Sequence, residues 1–330
     1  MKSLTMLSTA IFALACTANA QSVNDPAPSK FYLKAAGGYF FSVSQGQFPD
    51  VGQFPPRDIR QQADPVTGAT TIISQKVLTG SYGAGGRGGL TFGWNINKYM
   101  ALEGTFNYFH SQKNLMTKNI TTVKGTSQVA ASVESHGYVN SIDFAPSLVL
   151  SPGLEKVNPY VRFGVVVPLW GNLNIETDAT RNSPGPSGSI AQTTIHRKEK
   201  IHPNPTIGFQ GALGVVFPVA PKLGIFVEAE YRNVPVKGKD KEVTAYDEKT
   251  NVVNPTTGQV IATTSRGLDD LSVAEKKTKY VTTLDQNSNT PTGTQGSQTM
   301  YKDNNAPAND LKSYINIGGL GVNAGIKWRF

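Results

Sequence analysis

The chain has 330 residues, among them 33 glycines, 12 tyrosines and 15 phenylalanines, and only 16% of its residues are charged. No run of eighteen apolar residues follows Ala20, which excludes a protein that crosses a membrane with helices. The formal charge is +8 at pH 7. The lysines and arginines are scattered singly, however, and form no basic stripe between aromatic residues, so the sequence does not predict binding to nucleic acid.

The first twenty residues have the pattern of a secretory signal. A single charge, Lys2, precedes a short apolar run, and Ala18-Asn19-Ala20 provides the small-x-small site at which such signals are cleaved. We therefore expect a signal peptide over residues 1–20, cleavage between Ala20 and Gln21, and a short N-terminal segment over residues 21–30.

The only cysteine, Cys16, allows an alternative reading of this signal. It could be the acylated cysteine of a lipoprotein, but Ala13 stands where such signals carry leucine. We expect Cys16 to leave with the signal peptide. The mature chain then has no cysteine and forms no disulfide, although it is exported.

From residue 31 onward, apolar residues alternate with polar or small ones in eight segments. A period of two is the signature of a strand with one apolar face. Each segment is longer than the ~9–11 residues with which a tilted strand crosses a bilayer. The eight predicted strands cover residues 31–43, 81–94, 98–112, 134–150, 159–175, 205–219, 222–236 and 313–330.

The connections between these strands are sorted by length. Every even-numbered strand is joined to the next by a short turn, whereas the other connections are long: 44–80, 113–133, 176–204 and 237–312. In an up-and-down barrel this places all turns at one rim and all long loops at the other, as in outer-membrane barrels. We predict an all-β fold in which residues 31–330 form a single transmembrane, up-and-down antiparallel β-barrel of eight strands.

The last predicted strand ends the chain on an aromatic residue. One face of it carries Val322, Ala324, Ile326, Trp328 and Phe330. Such an ending resembles the closing strand of a bacterial outer-membrane β-barrel. Together with the sorted connections, it makes the strands and turns of this chain resemble the eight-stranded OmpA/OmpX-type outer-membrane barrels.

The resemblance implies an integral protein of the bacterial cell outer membrane, monomeric, with both termini in the periplasm and the long loops outside the cell. It also implies contact with outer-membrane lipid and lipopolysaccharide. Insertion would depend on the barrel assembly machinery, which reads the terminal pattern. No enzyme activity and no cofactor are expected, but the fold does not specify a function, because it hosts adhesins, small channels and lipid enzymes.

Two functions remain open at this point. The first is a non-enzymatic surface protein whose loops bind an extracellular partner or support envelope integrity. The second is a narrow porin-like channel for ions or small solutes. A lipid-modifying barrel enzyme is a less favoured third.

Two of the long loops carry hairpin signals. Asp64-Pro65-Val66-Thr67-Gly68 and Asn254-Pro255-Thr256-Thr257-Gly258 are turn sequences followed by Thr-, Val- and Ile-rich segments. They predict hairpins that extend the barrel wall outward in the first and fourth loops. A third copy of the turn is read at Thr290-Pro291-Thr292-Gly293, and residues 182–188 are expected to lack regular structure.

Charged residues of both signs occupy inward positions of the predicted strands. In a narrow barrel they should pair, because an unpaired charge is costly there and an eight-stranded interior is just wide enough to be filled by side chains. We predict a plug of ion pairs, in which Arg87 of the second predicted strand meets Glu103 at a similar depth on the third, with a gate or ion path as the alternative. The set consists of Lys34, Arg87, Glu103, Asp143, Arg162, Glu228, Glu230, Arg232, Lys327 and Arg329.

Other motifs predict no catalytic, cofactor or metal site. The sequence from Gly83 to Gly88 matches GxGxxG, but a predicted strand follows it instead of the helix that dinucleotide binding requires. His196 and His202 have no third ligand nearby in the sequence. Glu134-Ser135-His136 places neighbouring residues on opposite faces of a strand, where they cannot form a triad.

Overall fold

A computed structural model describes residues 29–43, 45–204, 206–295 and 298–330 of the chain. The predicted signal peptide, the cleavage site at Ala20 and Gln21, and most of the segment 21–30 lie outside the described residues. Within these ranges, none of the helices has the length and apolar character needed to cross a membrane.

The described residues form 21 strands and very little helix. A single α-helical turn, α1, covers Val273–Lys276, and 3₁₀ turns cover Pro186–Gly188 and Leu268–Asp270. In chain order the strands are β1 (Phe31–Phe41), β2 (Gly46–Gln47), β3 (Arg57–Ala63), β4 (Thr70–Val77), β5 (Thr79–Gly80), β6 (Gly85–Asn95), β7 (Met100–Ser111), β8 (Asn114–Val123), β9 (Val129–Leu150), β10 (Asn158–Pro184), β11 (Ile190–Pro203), β12 (Gly208–Ala220), β13 (Leu223–Asn233), β14 (Pro235–Val253), β15 (Val260–Gly267), β16 (Lys277–Val281), β17 (Pro291–Gln295), β18 (Gln298–Tyr301), β19 (Ala308–Leu311), β20 (Tyr314–Asn316) and β21 (Leu320–Arg329).

Eight of these strands close into an antiparallel barrel. Their order around the wall is β1-β6-β7-β9-β10-β12-β13-β21, and β21 pairs with β1 from Tyr32↔Arg329 to Phe41↔Leu320. The all-β class and the eight-stranded antiparallel barrel predicted from the sequence are thus confirmed. The short turns and the ends of β1 and β21 form one rim, the turn rim; we call the opposite one the loop rim.

The long connections are mostly strand, which the predicted loop boundaries missed. Beyond the loop rim, β9 and β10 continue to pair with each other as far as Ala131↔Arg181. Strands β8, β3 and β4 add to one side of this pair, and β11, β14 and β15 add to the other. The result is an open sheet, β4-β3-β8-β9-β10-β11-β14-β15. We call this sheet, together with residues 268–312, the extension.

The predicted hairpins of the first and fourth loops are present. The turn Asp64–Gly68 joins β3 to β4, and Asn254–Gly258 joins β14 to β15; in both, the glycine N–H donates to the carbonyl of the first residue. Both glycines have positive φ, 70° at Gly68 and 71° at Gly258, which explains why glycine ends the motif.

Two expectations about the loops were wrong. Residues 182–188 are ordered, because β10 and β11 pair up to Pro184↔Ile190 and the 3₁₀ turn Pro186–Gly188 closes the hairpin. The third copy of the turn is not a turn, since Pro291 and Gly293 lie in β17. This third sequence begins with Thr290. Threonine lacks the carboxylate or amide oxygen with which Asp64 and Asn254 each accept hydrogen bonds from two backbone N–H groups.

The polarity of the two faces reverses along β9 and β10. Within the barrel, Ile142 and Phe163 lie exposed on the outside of the wall, while Asp143 and Arg162 are buried inside. Above Asn140 and Asn172, the outward positions of the same strands are polar, as at His136, Asn174 and Glu176, and the inward ones include Val139, Leu173 and Ile175. The barrel is therefore apolar outside and charged inside, whereas the extension has an apolar core.

Candidate functional site

The barrel interior contains eight of the ten predicted lumen charges as one buried cluster, which we call the plug. They are four cations and four carboxylates, each no more than 8% exposed: Lys34, Arg87, Arg162, Arg232, Glu103, Asp143, Glu228 and Glu230. They come from β1, β6, β7, β9, β10 and β13, so the plug ties together most of the wall.

Nearest the turn rim, the plug is built around Glu103. Its Oε1 accepts a hydrogen bond from the Tyr32 hydroxyl at 2.8 Å and from Lys34 Nζ at 3.3 Å. The ammonium of Lys34 also lies 4.3 Å from the centre of the Phe226 ring. The buried charge of Lys34 is thus balanced by the carboxylate of Glu103 and by the face of the Phe226 ring.

The middle of the plug is centred on Arg162. Its Nη2 donates to Glu228 at 2.6 Å and to Glu230 at 3.2 Å. Asn323 Nδ2 donates to the same two carboxylates, at 3.2 and 2.7 Å. A further donor to Glu228 is the Tyr160 hydroxyl, at 2.7 Å. These glutamates, which carry the same charge, share donors from two other strands.

Nearest the loop rim, the plug contains Arg232 and Arg87. Arg232 Nη2 donates to Asp143 Oδ1 at 2.6 Å, and the same oxygen accepts from Asn107 Nδ2 at 2.9 Å. Arg87 lies 3.8 Å from Glu230, and its guanidinium carbon is 3.9 Å from the centre of the Phe40 ring. The expected approach of Arg87 to Glu103 is not found, because the register of β6 and β7 pairs Arg87 with Phe109 and Glu103 with Gly93, at different depths of the barrel.

Two tyrosines of the plug lie flat over glycines of the neighbouring strand. A Cβ atom at Gly93 would be 2.1 Å from the Tyr32 ring, and one at Gly214 would be 2.4 Å from Tyr160. Only glycine permits this approach. The glycines therefore give the tyrosines room to reach Glu103 and Glu228.

The remaining two predicted charges stay outside the plug. Lys327 Nζ lies 3.7 Å from the centre of the Tyr32 ring, and Arg329 lies closer to the rim. Both line a vestibule of about 940 Å³ at the turn rim, which narrows to Tyr32, Lys34 and Glu103. The vestibule therefore reaches the plug from one side.

The lumen is closed twice along its length. Within the plug the free space is about 20 Å³, which is enough for little more than one water molecule. The second closure is the apolar core of the extension, which lies between the plug and the outer end of the loops. Its buried side chains include Tyr82, Met116, Val139 and Ile175. An ion would have to pass both layers.

Sequence analysis missed the neutral members of the plug: Tyr32, Tyr160, Gln210, Asn107 and Asn323. The alternating pattern could have identified them. Tyr32 and Tyr160 are two residues away from Lys34 and Arg162 and therefore lie on the same inward face of their strands, as Gln210 does with Ala212. With its amide oxygen turned toward Arg162, Gln210 accepts from that residue and donates to Glu230, both at 3.1 Å. Counting only charges at inward positions overlooked these hydrogen-bonding groups.

The extension has its own buried ion pairs. Glu199 is contacted by Arg197 at 2.9 Å and by Lys241 at 3.1 Å. Burial works against its ionisation, but Lys241 and Arg197 hold the pKa of the Glu199 carboxyl below its ordinary value. Ionised Glu199 thus links β11 to β14.

A second glutamate organises the fourth long connection. Glu275 accepts from Arg266 Nη2 at 2.8 Å and from the backbone N–H groups of Ser272 and Thr299 at 3.0 and 3.1 Å. Although burial opposes ionisation, Arg266 and these N–H groups lower the pKa of the Glu275 carboxyl. This connection is therefore held by specific contacts.

The motifs considered for other chemistry are not assembled into sites. His196 pairs with Asp178 and His202 with Asp240, at 2.7 and 2.6 Å, so each histidine has its own carboxylate. Ser135 points inward to Thr177, away from its neighbour His136. The GxGxxG match from Gly83 runs into β6. Among the described residues, no three His, Cys, Asp or Glu side chains are grouped as a metal site.

The predicted assembly signature lies on the outer face of β21 and at its end. Val322, Ile326, Trp328 and Phe330 are all exposed there, as is Ala324. The Phe330 N–H donates to the Phe31 carbonyl at 3.1 Å, so the terminal residue joins the barrel seam.

The chain was compared with protein-family models and with curated proteins. No protein-family model and no curated protein matches it. Function must therefore be argued from the barrel, the plug and the extension.

Proposed function

We propose that this chain is an integral β-barrel protein of a bacterial outer membrane, similar to the OmpA/OmpX type, with a lumen closed at rest. Its extension stands outside the cell, where it binds a partner or supports the envelope without catalysis. The observation that carries the proposal is the reversal of polarity along β9 and β10. A continuous strand needs an apolar outer face only where its surroundings are apolar.

The outer surface of the barrel supports this proposal by its composition. Around the wall, large apolar residues are exposed on every strand, for example Leu90, Phe106, Phe209 and Val227. A soluble protein rarely exposes a continuous apolar surface of this kind. In a bilayer the same surface faces hydrocarbon, and each barrel strand pairs with a neighbour on both sides over most of its length, which satisfies its backbone groups.

The double closure favours a surface protein over a channel. A plug with equal numbers of cations and carboxylates offers no excess charge to a permeating ion, and the apolar core of the extension excludes water. The alternative, a narrow channel for ions or small solutes, requires both layers to move.

The extension offers surfaces for a partner at its two sheet edges. Among the described residues, β4 pairs only with β3 and β15 only with β14, and all eight residues of β4 are exposed. Exposed edges can accept a further strand through their backbone groups.

The membrane assignment is tested by labelling of single cysteines. The proposed mature chain has none, so cysteine can be placed singly on the outer face of the wall at Leu148 or Phe163, and on that of the extension at His136 or Thr194. With intact cells and a water-soluble maleimide, we expect labelling at His136 and Thr194 only. All four positions should react after denaturation.

Equal labelling of Leu148→Cys and His136→Cys in the folded protein would overturn the membrane assignment. A planar-bilayer recording addresses the channel alternative, because the proposal expects no steady current. A large ohmic conductance of the wild-type protein would favour the channel.

A further inference from the structure

Two lysines stand directly opposite each other on neighbouring strands of the barrel. Lys34 of β1 pairs in register with Lys327 of β21, and both side chains lie on the inward side and line the vestibule. On its other side β21 pairs with β13, where the residue opposite Lys327 is Gly224. Like charges directly opposite each other destabilise a sheet. This pair therefore needs a counter-charge from elsewhere.

The counter-charge is supplied to only one of the two lysines. Lys34 lies 3.3 Å from Glu103 and 3.9 Å from Glu228. Among the described residues, by contrast, neither Lys327 nor Arg329 takes part in an ion pair or a side-chain hydrogen bond. The two inward cations at the end of β21 thus have no carboxylate partner in the part of the chain that the structure describes.

The lining of the vestibule as a whole carries an excess of positive charge. Its five cations are Lys30, Lys34, Lys98, Lys327 and Arg329. The lining includes two carboxylates, of which Glu103 is held by Lys34 and Glu155 is exposed in the turn between β9 and β10. A cleft lined by charge of one sign concentrates ions of the opposite sign. The vestibule should therefore attract anions.

The vestibule is accessible from water at the turn rim. Its inner end is the plug, with about 20 Å³ of free space. Beside the two unpaired cations the wall is continuous, because β21 pairs with β1 from Leu320 to Arg329 and with β13 from Leu320 to Trp328. A lipid cannot enter from the bilayer through such a wall. The volume of about 940 Å³ suits a small molecule, since ligand pockets span roughly 300–1,000 Å³.

The two cations without a carboxylate partner are spaced for two anionic groups. Lys327 and Arg329 are two residues apart on one face of β21, which corresponds to roughly 7 Å along a strand. An arginine guanidinium binds a carboxylate or a phosphate through two N–H groups, and a lysine ammonium binds either as a point charge. A molecule with two anionic groups can therefore contact both residues at once.

We propose that the vestibule binds a small water-soluble polyanion with two or more phosphate or carboxylate groups. One group contacts Lys327 and a second contacts Arg329. The ligand thereby supplies the counter-charge that Lys327 lacks opposite Lys34. This inference goes beyond the proposed function and does not rest on it, because the vestibule lies inside the barrel whatever surrounds the wall. In the proposed orientation the ligand enters from the periplasm.

Calorimetric titration of the protein in a non-ionic detergent tests the site with two probes, pyrophosphate and citrate. We expect saturable binding of one anion per chain, and the tighter probe identifies phosphate or carboxylate as the recognised group. Acetate, which has a single anionic group, should bind more weakly by about tenfold or more. Absence of saturable binding of both probes, or equal affinity for acetate, would overturn the proposal.

Substitutions with a matched control locate the bound anion. Lys327→Gln and Arg329→Gln should each weaken binding of the tighter probe by about tenfold or more. Lys222→Gln should leave the affinity unchanged, because Lys222 is an exposed lysine in the turn before β13 that does not line the vestibule. An equal loss of affinity in all three variants would show attraction by the overall charge of the rim, and would overturn a defined site.

Thermal unfolding supplies an arm that separates ligand binding from a structural role. Without ligand, Lys327→Gln should unfold at the same temperature as the wild type or higher, because it removes one of two like charges. The tighter probe should raise the unfolding temperature of the wild type but not that of Lys327→Gln. A less stable Lys327→Gln would show that Lys327 is part of the plug, and would overturn its role in binding. Failure of the membrane assignment is recognised separately, by the cysteine labelling of intact cells.

Discussion

Arg232 and Asp143 meet across the lumen, with Nη2 of the arginine 2.6 Å from Oδ1 of the aspartate, although β13 and β9 are not neighbours in the wall. Arg232 is among the largest fully buried side chains of the described protein. Its contact therefore fixes the distance between opposite sides of the barrel. A buried pair of this kind is expensive to break, because the remaining partner keeps its charge.

Substitution of Arg232 should destabilise the barrel strongly. We expect Arg232→Met to lower the free energy of unfolding by about 3–5 kcal/mol, since Asp143 is left as an unpaired buried charge. Adding Asp143→Asn should recover part of this loss. The measurement is urea unfolding of the protein in lipid vesicles, followed by tryptophan fluorescence.

A surface ion pair provides the matched control for this cycle. Lys124 and Asp64 are 3.1 Å apart, and the lysine side chain is 64% exposed. Lys124→Met should therefore change the free energy of unfolding by less than about 1 kcal/mol. An equal effect of Arg232→Met and Lys124→Met would show that the pair across the lumen does not hold the barrel.

Opening the plug alone should not create a steady current. Arg162→Ala removes the centre of the plug, but the apolar core around Tyr82 and Met116 still closes the lumen toward the loop rim. We expect currents at the wild-type level from Arg162→Ala and from the double variant Tyr82→Ala, Met116→Ala. The triple variant should conduct in planar bilayers.

Two outcomes would contradict this expectation. If Arg162→Ala alone conducts, the apolar core is not a closure and the plug is the only gate. If the triple variant stays closed while it remains folded, by its gel mobility before and after boiling, neither layer determines permeation.

The barrel strands could be predicted from the sequence because their two faces differ so strongly. On β12, exposed Phe209 and Leu213 alternate with buried Gln210 and Ala212. Apart from the hairpins of the first and fourth loops, the strands of the extension escaped prediction, because this contrast vanishes where both faces become mixed. In β14, for instance, inward Lys241 and Val243 share a face.

The alternation of inward and outward residues also identified the charged residues of the plug, but not the residues with which they pair. Arg87 was expected to meet Glu103 and instead lies near Glu230. Arg87 and Glu103 lie on neighbouring strands whose register pairs Arg87 with Phe109, six residues along β7 from Glu103. A period of two gives the face on which a residue lies but not the strand register that sets its depth.

The extension should loosen in acid before the barrel does. Because the pKa of Glu199 is lower in the folded protein than its ordinary value of 4.5, its contribution to stability is complete above that value. The contribution is lost as the pH falls through the folded pKa. We expect amide exchange in β11 and β14, corrected for its intrinsic pH dependence, to accelerate below about pH 4.5.

A glutamine variant separates this effect from general acid unfolding. Glu199→Gln should exchange rapidly in β11 and β14 already at pH 7, because Lys241 and Arg197 lose their common carboxylate. Glu242→Gln, on the outward face of β14, should behave like the wild type. Unchanged exchange in Glu199→Gln at neutral pH would contradict a stabilising role for this pair.

The terminal aromatic residue should matter for assembly more than for stability. The side chain of Phe330 is 58% exposed on the outside of the barrel, so Phe330→Ala should lower the free energy of unfolding no more than Phe31→Ala does. The hydrogen bond from the backbone N–H of residue 330 to the Phe31 carbonyl remains after the substitution. If the closing strand is read during insertion, the amount of folded protein in the outer membrane should fall severalfold.

Phe31→Ala is the matched control, because Phe31 lies at the same rim on the adjacent strand and is likewise exposed. Heat-modifiable protein in isolated membranes is quantified for both variants, and equal yields would remove the special role of the terminal residue.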